Sequence, residues 1–256
     1  IIVYTMKIYQ TQDIRNIALV GGAKSGKTSM AEAMAFCGGL INRRGTVDSK
    51  NTISDYRDIE HDRGYSVENT LMYTEFGGKK VNIIDVPGFA DYQGELVSAL
   101  NVVEAAVVVV NAQSGVEVGT EIANRYAAKL DTPMLFVVNH LDAEKANFDE
   151  SVNQLKDFFG QKCTVLQFPT NAGLGFNQVV DIVANKMYTF TDGKMTEADI
   201  PAEYADKAEE MRMALVEEAA AADDALMEKY FENGDLTPEE LTKALKLAID
   251  KRDLFP

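Results

Sequence analysis

Residues 21–28 read Gly21-Gly22-Ala23-Lys24-Ser25-Gly26-Lys27-Thr28 and lie between a short apolar run, 17–20, and a segment rich in helix formers, 30–35. This order of strand, glycine-rich loop and helix is the setting in which the pattern G-x-x-x-x-G-K-[ST] binds phosphate. Glycines let the backbone wrap closely around a phosphate, whose charge the N–H groups and the helix N-terminus favour. We therefore predict that the loop, followed by Ser29, binds a nucleoside triphosphate, with Lys27 at the terminal phosphates and Thr28 on Mg²⁺.

The composition is that of a globular protein, with 46% hydrophobic and 25% charged residues among 256. This length predicts one large domain or two modest ones. The sequence has no apolar run long enough to span a bilayer and no secretory signal, so we expect a cytoplasmic location. Met6 is a candidate natural start, which would leave residues 1–5 upstream of it. Cys37 and Cys163 are too few and too isolated for a disulfide framework or a zinc site.

The net charge of −15 is concentrated in the C-terminal part, where residues 181–253 hold 19 acidic and 9 basic side chains. Such a surface does not bind nucleic acid generically, because phosphate contacts require Lys and Arg. DNA is therefore not an expected partner. Any RNA contact must come from a local patch, such as Arg43-Arg44 or Lys79-Lys80, or from protein outside this chain. The acidity serves either solubility or a basic protein partner.

Apolar segments predict an α/β fold for the first 160 residues. Further strands are predicted at 70–76, 80–84, 105–110 and 134–138, and helices around 96–103 and 120–130. Gly77-Gly78 is a hairpin turn signal between the first two of these strands. The alternation predicts the P-loop NTPase fold, a doubly wound, mostly parallel sheet with helices on both faces and ligand at the strands' C-terminal ends.

The pattern of apolar and polar residues changes at about Gln161. We divide the chain there into a nucleotide-binding domain, 1–160, and a second, smaller α/β unit, 161–256. The hairpin predicted in this unit turns at Asp192-Gly193, and Thr237 and Pro238 begin the last helix. The predicted elements are a strand at 164–168, a short helix at 176–186, a hairpin over 187–195, a long helix at 203–232 and a last helix to about 249.

Two further motifs follow predicted strands and indicate which nucleotide binds. In Asp85-Val86-Pro87-Gly88, the Asp85 carboxylate can hold Mg²⁺ through water and the Gly88 N–H can sense the γ-phosphate. In Asn139-His140-Leu141-Asp142, the Asp142 carboxylate can accept hydrogen bonds from guanine N1–H and the exocyclic amine, a pairing that adenine cannot offer. Three motifs in this order predict GTP as the ligand. A P-loop kinase or ATPase with an accidental N-x-x-D is the alternative.

The long polar connection, residues 38–70, is either functional or disordered. Its segment from Arg57 to Ser66, here called the switch loop, ends in a hydroxyl. In a loop that the γ-phosphate orders, Ser66 would be the second protein hydroxyl on Mg²⁺. A solvated charged loop is the alternative interpretation.

With these residues assembled, the chain resembles the translational GTPases, and among them the elongation factor G family. The family's E-R-G-I-T, D-T-P-G-H and N-K-x-D correspond to Asp62-Arg63-Gly64-Tyr65-Ser66, Asp85-Val86-Pro87-Gly88-Phe89 and Asn139-His140-Leu141-Asp142. Residues 217–230 are similar to part of the subdomain that this family inserts in its GTPase domain. The resemblance covers the chain from about Asp13.

The resemblance implies a monomeric, ribosome-dependent GTPase that promotes movement of tRNA and mRNA, with Mg²⁺ and GTP or GDP as its ligands. The ribosomal partners that it implies are a large-subunit RNA loop and, for the acidic insert, a stalk protein. Related alternatives are a ribosomal protection protein and a class-II release factor.

The family's fifth motif, S-A after a strand, should follow the insert, and the sequence stops at Leu254-Phe255-Pro256, about where that strand would begin. We therefore favour an N-terminal fragment without its fifth motif and downstream domains. In the alternative, Thr170-Asn171-Ala172-Gly173 serves as the fifth motif, since it also follows a predicted strand and precedes a predicted helix.

Several residues depart from the family pattern on the hydrolytic side of the site. Phe89 stands where the family has a histidine that orients the attacking water, and a phenyl ring neither donates nor accepts a hydrogen bond. His140, in place of Lys, either stacks on the base or lies on the surface. The other departures are Lys24 for Asp, Gly22 for His, Tyr65 for Ile and Ser66 for Thr.

The residues of the binding side are retained: Lys27, Thr28, Asp85, Gly88, Asn139 and Asp142. Our hypothesis from the sequence is a divergent paralogue that binds GTP but hydrolyses it slowly. A ribosome-binding module that uses GTP only as a structural ligand is the alternative from a different class.

Overall fold

The computed structural model describes residues 7–256 apart from Asp192, and apart from the side chain of Gln161. The interpretations of residues 1–5, of Met6 and of Asp192 as a turn residue fall outside this range. The chain forms two compact units. The first contains the chain up to Val109 together with Val118–Thr132, and the second contains Val110–Glu117 and Pro133–Pro256.

A five-stranded, mostly parallel sheet carries the predicted nucleotide-binding loop. Its strands are β1 (Ile14–Val20), β2 (Thr70–Phe76), β3 (Lys79–Asp85), β4 (Ala105–Asn111) and β5 (Met134–Asn139), in the order β2-β3-β1-β4-β5. Parallel pairing joins β1 to β3 and β4, whereas β2 and β3 form the predicted antiparallel hairpin. The pairing aligns Leu19 with Asp85, so the loops that follow β1 and β3 leave the same edge of the sheet.

The first unit adds four helices: α1 (Lys27–Cys37), α2 (Asp58–Arg63), α3 (Gln93–Leu100) and α4 (Val118–Lys129). The middle strands are buried on both faces, as Ala18–Val20 in β1 and Ala106–Val109 in β4 show. Continuous apolar runs are required there because helices cover both sides of a parallel sheet. The predicted α/β class and doubly wound sheet are confirmed. The helix predicted around 96–103 begins three residues earlier and ends at Leu100.

The second unit contains a separate antiparallel sheet and four helices. The strands β6 (Gln167–Pro169), β7 (Gln178–Asp181), β8 (Lys186–Thr191) and β9 (Lys194–Ala198) pair in sequence order. The helices are α5 (Phe148–Phe159), α6 (Ala202–Ala220), α7 (Asp224–Asn233) and α8 (Pro238–Asp250). Their common core includes Phe168, Val180, Leu215 and Leu241. Among the described residues, no helix combines the length and apolar character needed to cross a membrane.

Two of the predicted helices are wrong in this unit. The segment predicted as a helix over 176–186 contains strand β7, because the β-branched pair Val179-Val180 lies between two pairing partners, β6 and β8. The long helix predicted over 203–232 is two helices. The Asp223 side chain accepts a hydrogen bond from Leu226 N–H at 3.1 Å and begins α7 as its N-cap. The predicted capping box of α8, Thr237 with Glu240, is present.

Candidate nucleotide-binding site

The loop between β1 and α1 has a backbone that only glycine adopts easily. Gly21 and Gly26 have φ angles of 130° and 93°, in the left-handed region. A Cβ atom at Gly21 would also overlap the carbonyl oxygen of Val109 in β4. Lys24 adopts φ 62° without being glycine, and its side chain is exposed. Gly21 and Gly26 of the predicted phosphate loop are therefore required by its shape.

Lys27 begins α1, and its side chain is buried against its own loop. Its Nζ donates to the carbonyl oxygens of Gly22, at 2.6 Å, and Gly21, at 3.2 Å. The glycine of the D-x-x-G motif lies against the same group, since a Cβ at Gly88 would overlap Lys27 Nζ. The structure thus brings together the predicted phosphate-binding lysine and the predicted γ-phosphate sensor.

The next residue of α1, Thr28, belongs to a cluster of hydroxyl and carboxylate groups. Thr28 Oγ1 donates to Asp85 Oδ2 at 2.7 Å and lies 3.3 Å from Ser66 Oγ. All three residues predicted to hold Mg²⁺ are therefore neighbours. Two residues that were not predicted from the sequence, Ser54 and Asp55, complete the cluster. Ser54 Oγ donates to Asp85 Oδ2 at 2.5 Å, and Ser66 Oγ donates to Asp55 Oδ1 at 2.6 Å.

The chemistry of this cluster fits a divalent cation. Asp85 is fully buried, and in the part of the chain that the structure describes its Oδ1 atom has no hydrogen-bond partner. Burial raises the pKa of the Asp85 carboxyl, while the hydroxyls of Ser54 and Thr28 and the charge of Lys27 oppose that rise. The Asp85 carboxylate and the hydroxyls of Thr28 and Ser66 are hard oxygen ligands, which Mg²⁺ prefers.

The long connection before β2 has a defined path, held by two buried carboxylates. Glu32, on α1, accepts hydrogen bonds from the backbone N–H of Gly45, at 2.9 Å, and of Ile53. Glu60, on α2, accepts from the N–H of Val67 at 3.0 Å and of Arg57 at 3.3 Å. Glu32 and Glu60 are 1% and 2% exposed. The connection is therefore ordered, and these contacts place Ser54, Asp55 and Ser66 beside Asp85.

Phe89 follows Gly88 directly and is partly exposed, at 37%. Its ring packs on Tyr65 of the switch loop, with ring centroids 4.4 Å apart. His61, on α2, contacts the carbonyl oxygen of Asp55 through Nε2 at 2.7 Å. The ring of Phe89 supplies no hydrogen-bonding group at the position where the family pattern has histidine.

The predicted guanine-binding motif belongs to the second unit. Asn139 is the last residue of β5, and its carbonyl oxygen accepts the N–H of Ala112 at 2.8 Å. His140 has a left-handed φ of 60°, and the Asp142 side chain is exposed. Gly173 N–H donates to Leu141 O at 2.7 Å, so the stretch 170–173 lies against this loop. Its use as a fifth motif stays a prediction.

The fold and the cluster around Lys27 and Asp85 define a P-loop nucleotide-binding domain with a switch loop. The family described as "Elongation factor Tu GTP binding domain" matches residues 12–246. The chain is 34% identical over 245 residues to an elongation factor G-like protein of Thermotoga maritima, and 30% identical over 247 residues to elongation factor G of Mycoplasma pneumoniae. A crystal structure of a Thermus thermophilus protein matches with a TM-score of 0.89 and 33% identity, over 95% of this chain and 36% of that one.

The chain belongs to the elongation factor Tu GTP binding domain family, among the translational GTPases of the elongation factor G type. The two relatives match 96% and 95% of this chain, which spans 35% and 36% of their own lengths. The resemblance drawn from the sequence motifs is confirmed.

Proposed function

We propose that this chain is the GTP-binding domain of an elongation factor G-like translational GTPase that acts on the cytoplasmic ribosome in tRNA and mRNA translocation and hydrolyses GTP slowly. The observation that carries the proposal is the contrast within one cluster. Thr28 donates to Asp85 and Lys27 Nζ lies against Gly88, so the binding groups are present, whereas Phe89 presents a hydrocarbon ring next to the γ-phosphate sensor Gly88.

The residues that would bind the triphosphate are assigned from the groups that converge on the loop between β1 and α1. The groups that would surround the phosphates are the backbone N–H groups of Gly21, Gly22, Ala23, Lys24, Ser25, Gly26, Lys27, Thr28 and Ser29. Lys27, which donates to loop carbonyls, would turn its ammonium to the β- and γ-phosphates, and Gly88 N–H would meet the γ-phosphate. Thr28, Ser66 and Asp85 would hold Mg²⁺, which neutralises phosphate charge when bound. Ser54 and Asp55 orient two of those ligands through hydrogen bonds.

Guanine recognition is assigned to Asn139, His140 and Asp142. The exposed Asp142 carboxylate would accept two hydrogen bonds from guanine, and the left-handed backbone at His140 turns the chain between Asn139 and Asp142. These assignments are supported by the N-x-x-D pattern at the end of β5 and by membership of the family.

Slow hydrolysis follows from the side chain at position 89. A histidine that orients water contributes about 10²–10⁴-fold to proton-transfer steps, and phenylalanine can form no hydrogen bond with water. The remaining groups still favour the transition state through charge stabilisation. We therefore expect slow GTP hydrolysis to GDP and phosphate by this domain.

The division into a domain core, 1–160, and an inserted α/β subdomain, 161–256, forms part of the proposal. The second region is strongly acidic, which favours contact with a basic ribosomal stalk protein. A large-subunit RNA loop is the proposed second contact, and we expect the protein to act as a monomer. The relatives named elongation factor G support a ribosomal setting.

The experiment that tests this function is single-turnover GTP cleavage on ribosomes by the natural full-length protein, beside its Phe89→His variant. We expect slow cleavage in the parent and a gain of at least tenfold in the variant, whereas a Phe76→His control, at an exposed position on β2, should leave the rate unchanged. Cleavage at the speed of ordinary family members in the parent, with no gain in Phe89→His, would contradict slow hydrolysis.

A second candidate, a ribosome-binding module that uses GTP without cleaving it, is favoured by the same hydrocarbon ring at position 89. In that case GTP strengthens ribosome binding, and neither the parent nor Phe89→His cleaves it above background. Competition between ATP and GTP in a fluorescence binding assay tests the choice of base separately, and we expect GTP alone to compete.

A further inference from the structure

Two residues that depart from the family pattern at separate places in the sequence are in direct contact. The rings of Tyr65 and Phe89 lie with their centroids 4.4 Å apart and their planes inclined at 54°. This geometry is that of an attractive tilted aromatic pair. One ring belongs to the switch loop and the other to the segment after β3, so the pair joins the two segments.

A second contact joins the same two segments beside the ring pair. Arg63 donates from a guanidinium nitrogen to Tyr92 Oη at 2.8 Å, and its guanidinium carbon lies 5.9 Å from the centroid of the Tyr65 ring. Arg63 therefore contacts the ring pair and also a residue three positions beyond Phe89. Arg63 and Tyr92 are 29 residues apart in sequence, so this hydrogen bond also joins the switch loop to the segment after β3.

Each ring is attached next to a residue with an assigned role. Tyr65 precedes Ser66, whose Oγ lies 3.3 Å from Thr28 Oγ1, and Phe89 follows Gly88, which lies against Lys27 Nζ. Tyrosine and phenylalanine have only two side-chain torsions, so a packed ring restricts the backbone that carries it at low entropic cost. Contact between the rings therefore limits the movement of Ser66 relative to Gly88.

We propose that Tyr65 and Phe89 form a positioning pair that holds the Ser66 hydroxyl and the Gly88 N–H where GTP, and not GDP, requires them. The proposal rests on the function proposed above, which assigns Ser66 to the metal and Gly88 to the γ-phosphate. GDP has no γ-phosphate and depends on the loop around Lys27 and Thr28. The pair thus contributes to discrimination between the two nucleotides.

The size of the effect follows from the strength of an aromatic pair, which corresponds to about a 3- to 10-fold change in an equilibrium constant. Separating the rings should weaken binding of a non-hydrolysable GTP analogue by about that factor and leave GDP affinity unchanged. Because both residues act through one contact, removing the second ring should add little to the loss caused by removing the first.

The experiment measures the affinities of fluorescent GDP and of a fluorescent non-hydrolysable GTP analogue for the full chain and its variants. Tyr65→Leu, Phe89→Leu and the double variant remove one or both rings, whereas Tyr65→Phe retains the ring and loses only the hydroxyl. Phe76→Leu is the matched control, because Phe76 is 82% exposed and lies at the turn end of the β2–β3 hairpin, opposite the end that carries Asp85. Circular dichroism of each variant verifies folding.

The proposal is supported if both single variants lose 3- to 10-fold in affinity for the GTP analogue and the double variant loses no more. GDP affinity should be unchanged in all of them, and Tyr65→Phe should bind both nucleotides like the parent. Equal losses of affinity for GDP and for the GTP analogue would overturn the proposal. So would a loss of affinity in the double variant equal to the product of the two single losses. Failure of the parent to bind either nucleotide would instead refute the proposed function, so the two failures are distinguishable.

Discussion

Replacing Glu32 by glutamine tests whether one buried carboxylate orders the connection that leads to the switch loop. The two oxygens of Glu32 accept from different donors: Oε2 from Gly45 N–H and Oε1 from Ile53 N–H. Glutamine has nearly the same shape but only one acceptor oxygen, and its other terminal atom is an NH₂ donor. In Glu32→Gln, one of the two backbone N–H groups must therefore face another donor.

The magnitude follows from these two hydrogen bonds. A hydrogen bond to a charged acceptor contributes about 1.5–3 kcal/mol, and a buried donor left unpaired costs about 1–3 kcal/mol. Because one bond remains, weakened by the loss of charge, we expect a local destabilisation of about 2 kcal/mol. Hydrogen exchange through local opening should then accelerate by about 30-fold.

The assay is amide hydrogen exchange of the nucleotide-free protein, read for residues 45–55 and separately for the buried strand β4. Glu32→Gln should accelerate exchange over 45–55 and leave β4 protected. The matched control is Glu121→Gln on α4, where the side chain is exposed and the change should stay within about 0.5 kcal/mol. Unchanged exchange over 45–55 in Glu32→Gln would refute the role of Glu32, and equal acceleration in β4 would show that the whole unit had been destabilised.

Three further predictions concern local features. Lys24→Asn should stabilise the protein by about 0.5–1 kcal/mol in urea unfolding, because Lys24 has a left-handed φ of 62° that asparagine tolerates better; lower stability would contradict this. Burial raises the pKa of Cys163 to about 12, so only about 10⁻⁴ of it is thiolate at pH 8, and a thiol reagent should modify exposed Cys37 first. Loss of the fast phase in Cys37→Ser checks the assignment. Thr237→Ala should cost about 1 kcal/mol by removing the α8 cap, while Thr242→Ala, at an exposed helical position, serves as the comparison.

The elements that the sequence predicted well are those with local signals. The loop around Lys27 combines glycines at fixed spacing with a preceding apolar run, and the β2–β3 hairpin has two glycines at its turn. In α8, Thr237 and Glu240 are close in sequence and cap the helix together. Each signal depends on residues within about ten positions, so a single sequence is enough to detect it.

The features that could not be predicted depend on contacts between distant residues. Ser54 and Asp55 have no pattern that distinguishes them from other polar loop residues, and only the folded chain brings them to Asp85 and Ser66. Strand β7 is short, and its two pairing partners determine its conformation more than its own composition does. The contact between Tyr65 and Phe89 likewise joins positions 24 residues apart. In sequence they are two separate departures from a family pattern.

The hydrogen bonds around Asp85 have a consequence for how the switch loop responds to nucleotide. Ser54 donates to Asp85, and Ser66 donates to Asp55, so groups of the chain itself order the connection before β2, including the end of the switch loop. A binding site that is already ordered loses less conformational entropy when its ligand binds. On the proposal made above, the contact between Tyr65 and Phe89 contributes to the difference between the GTP and GDP states, because it holds Ser66 and Gly88 at a fixed distance from each other.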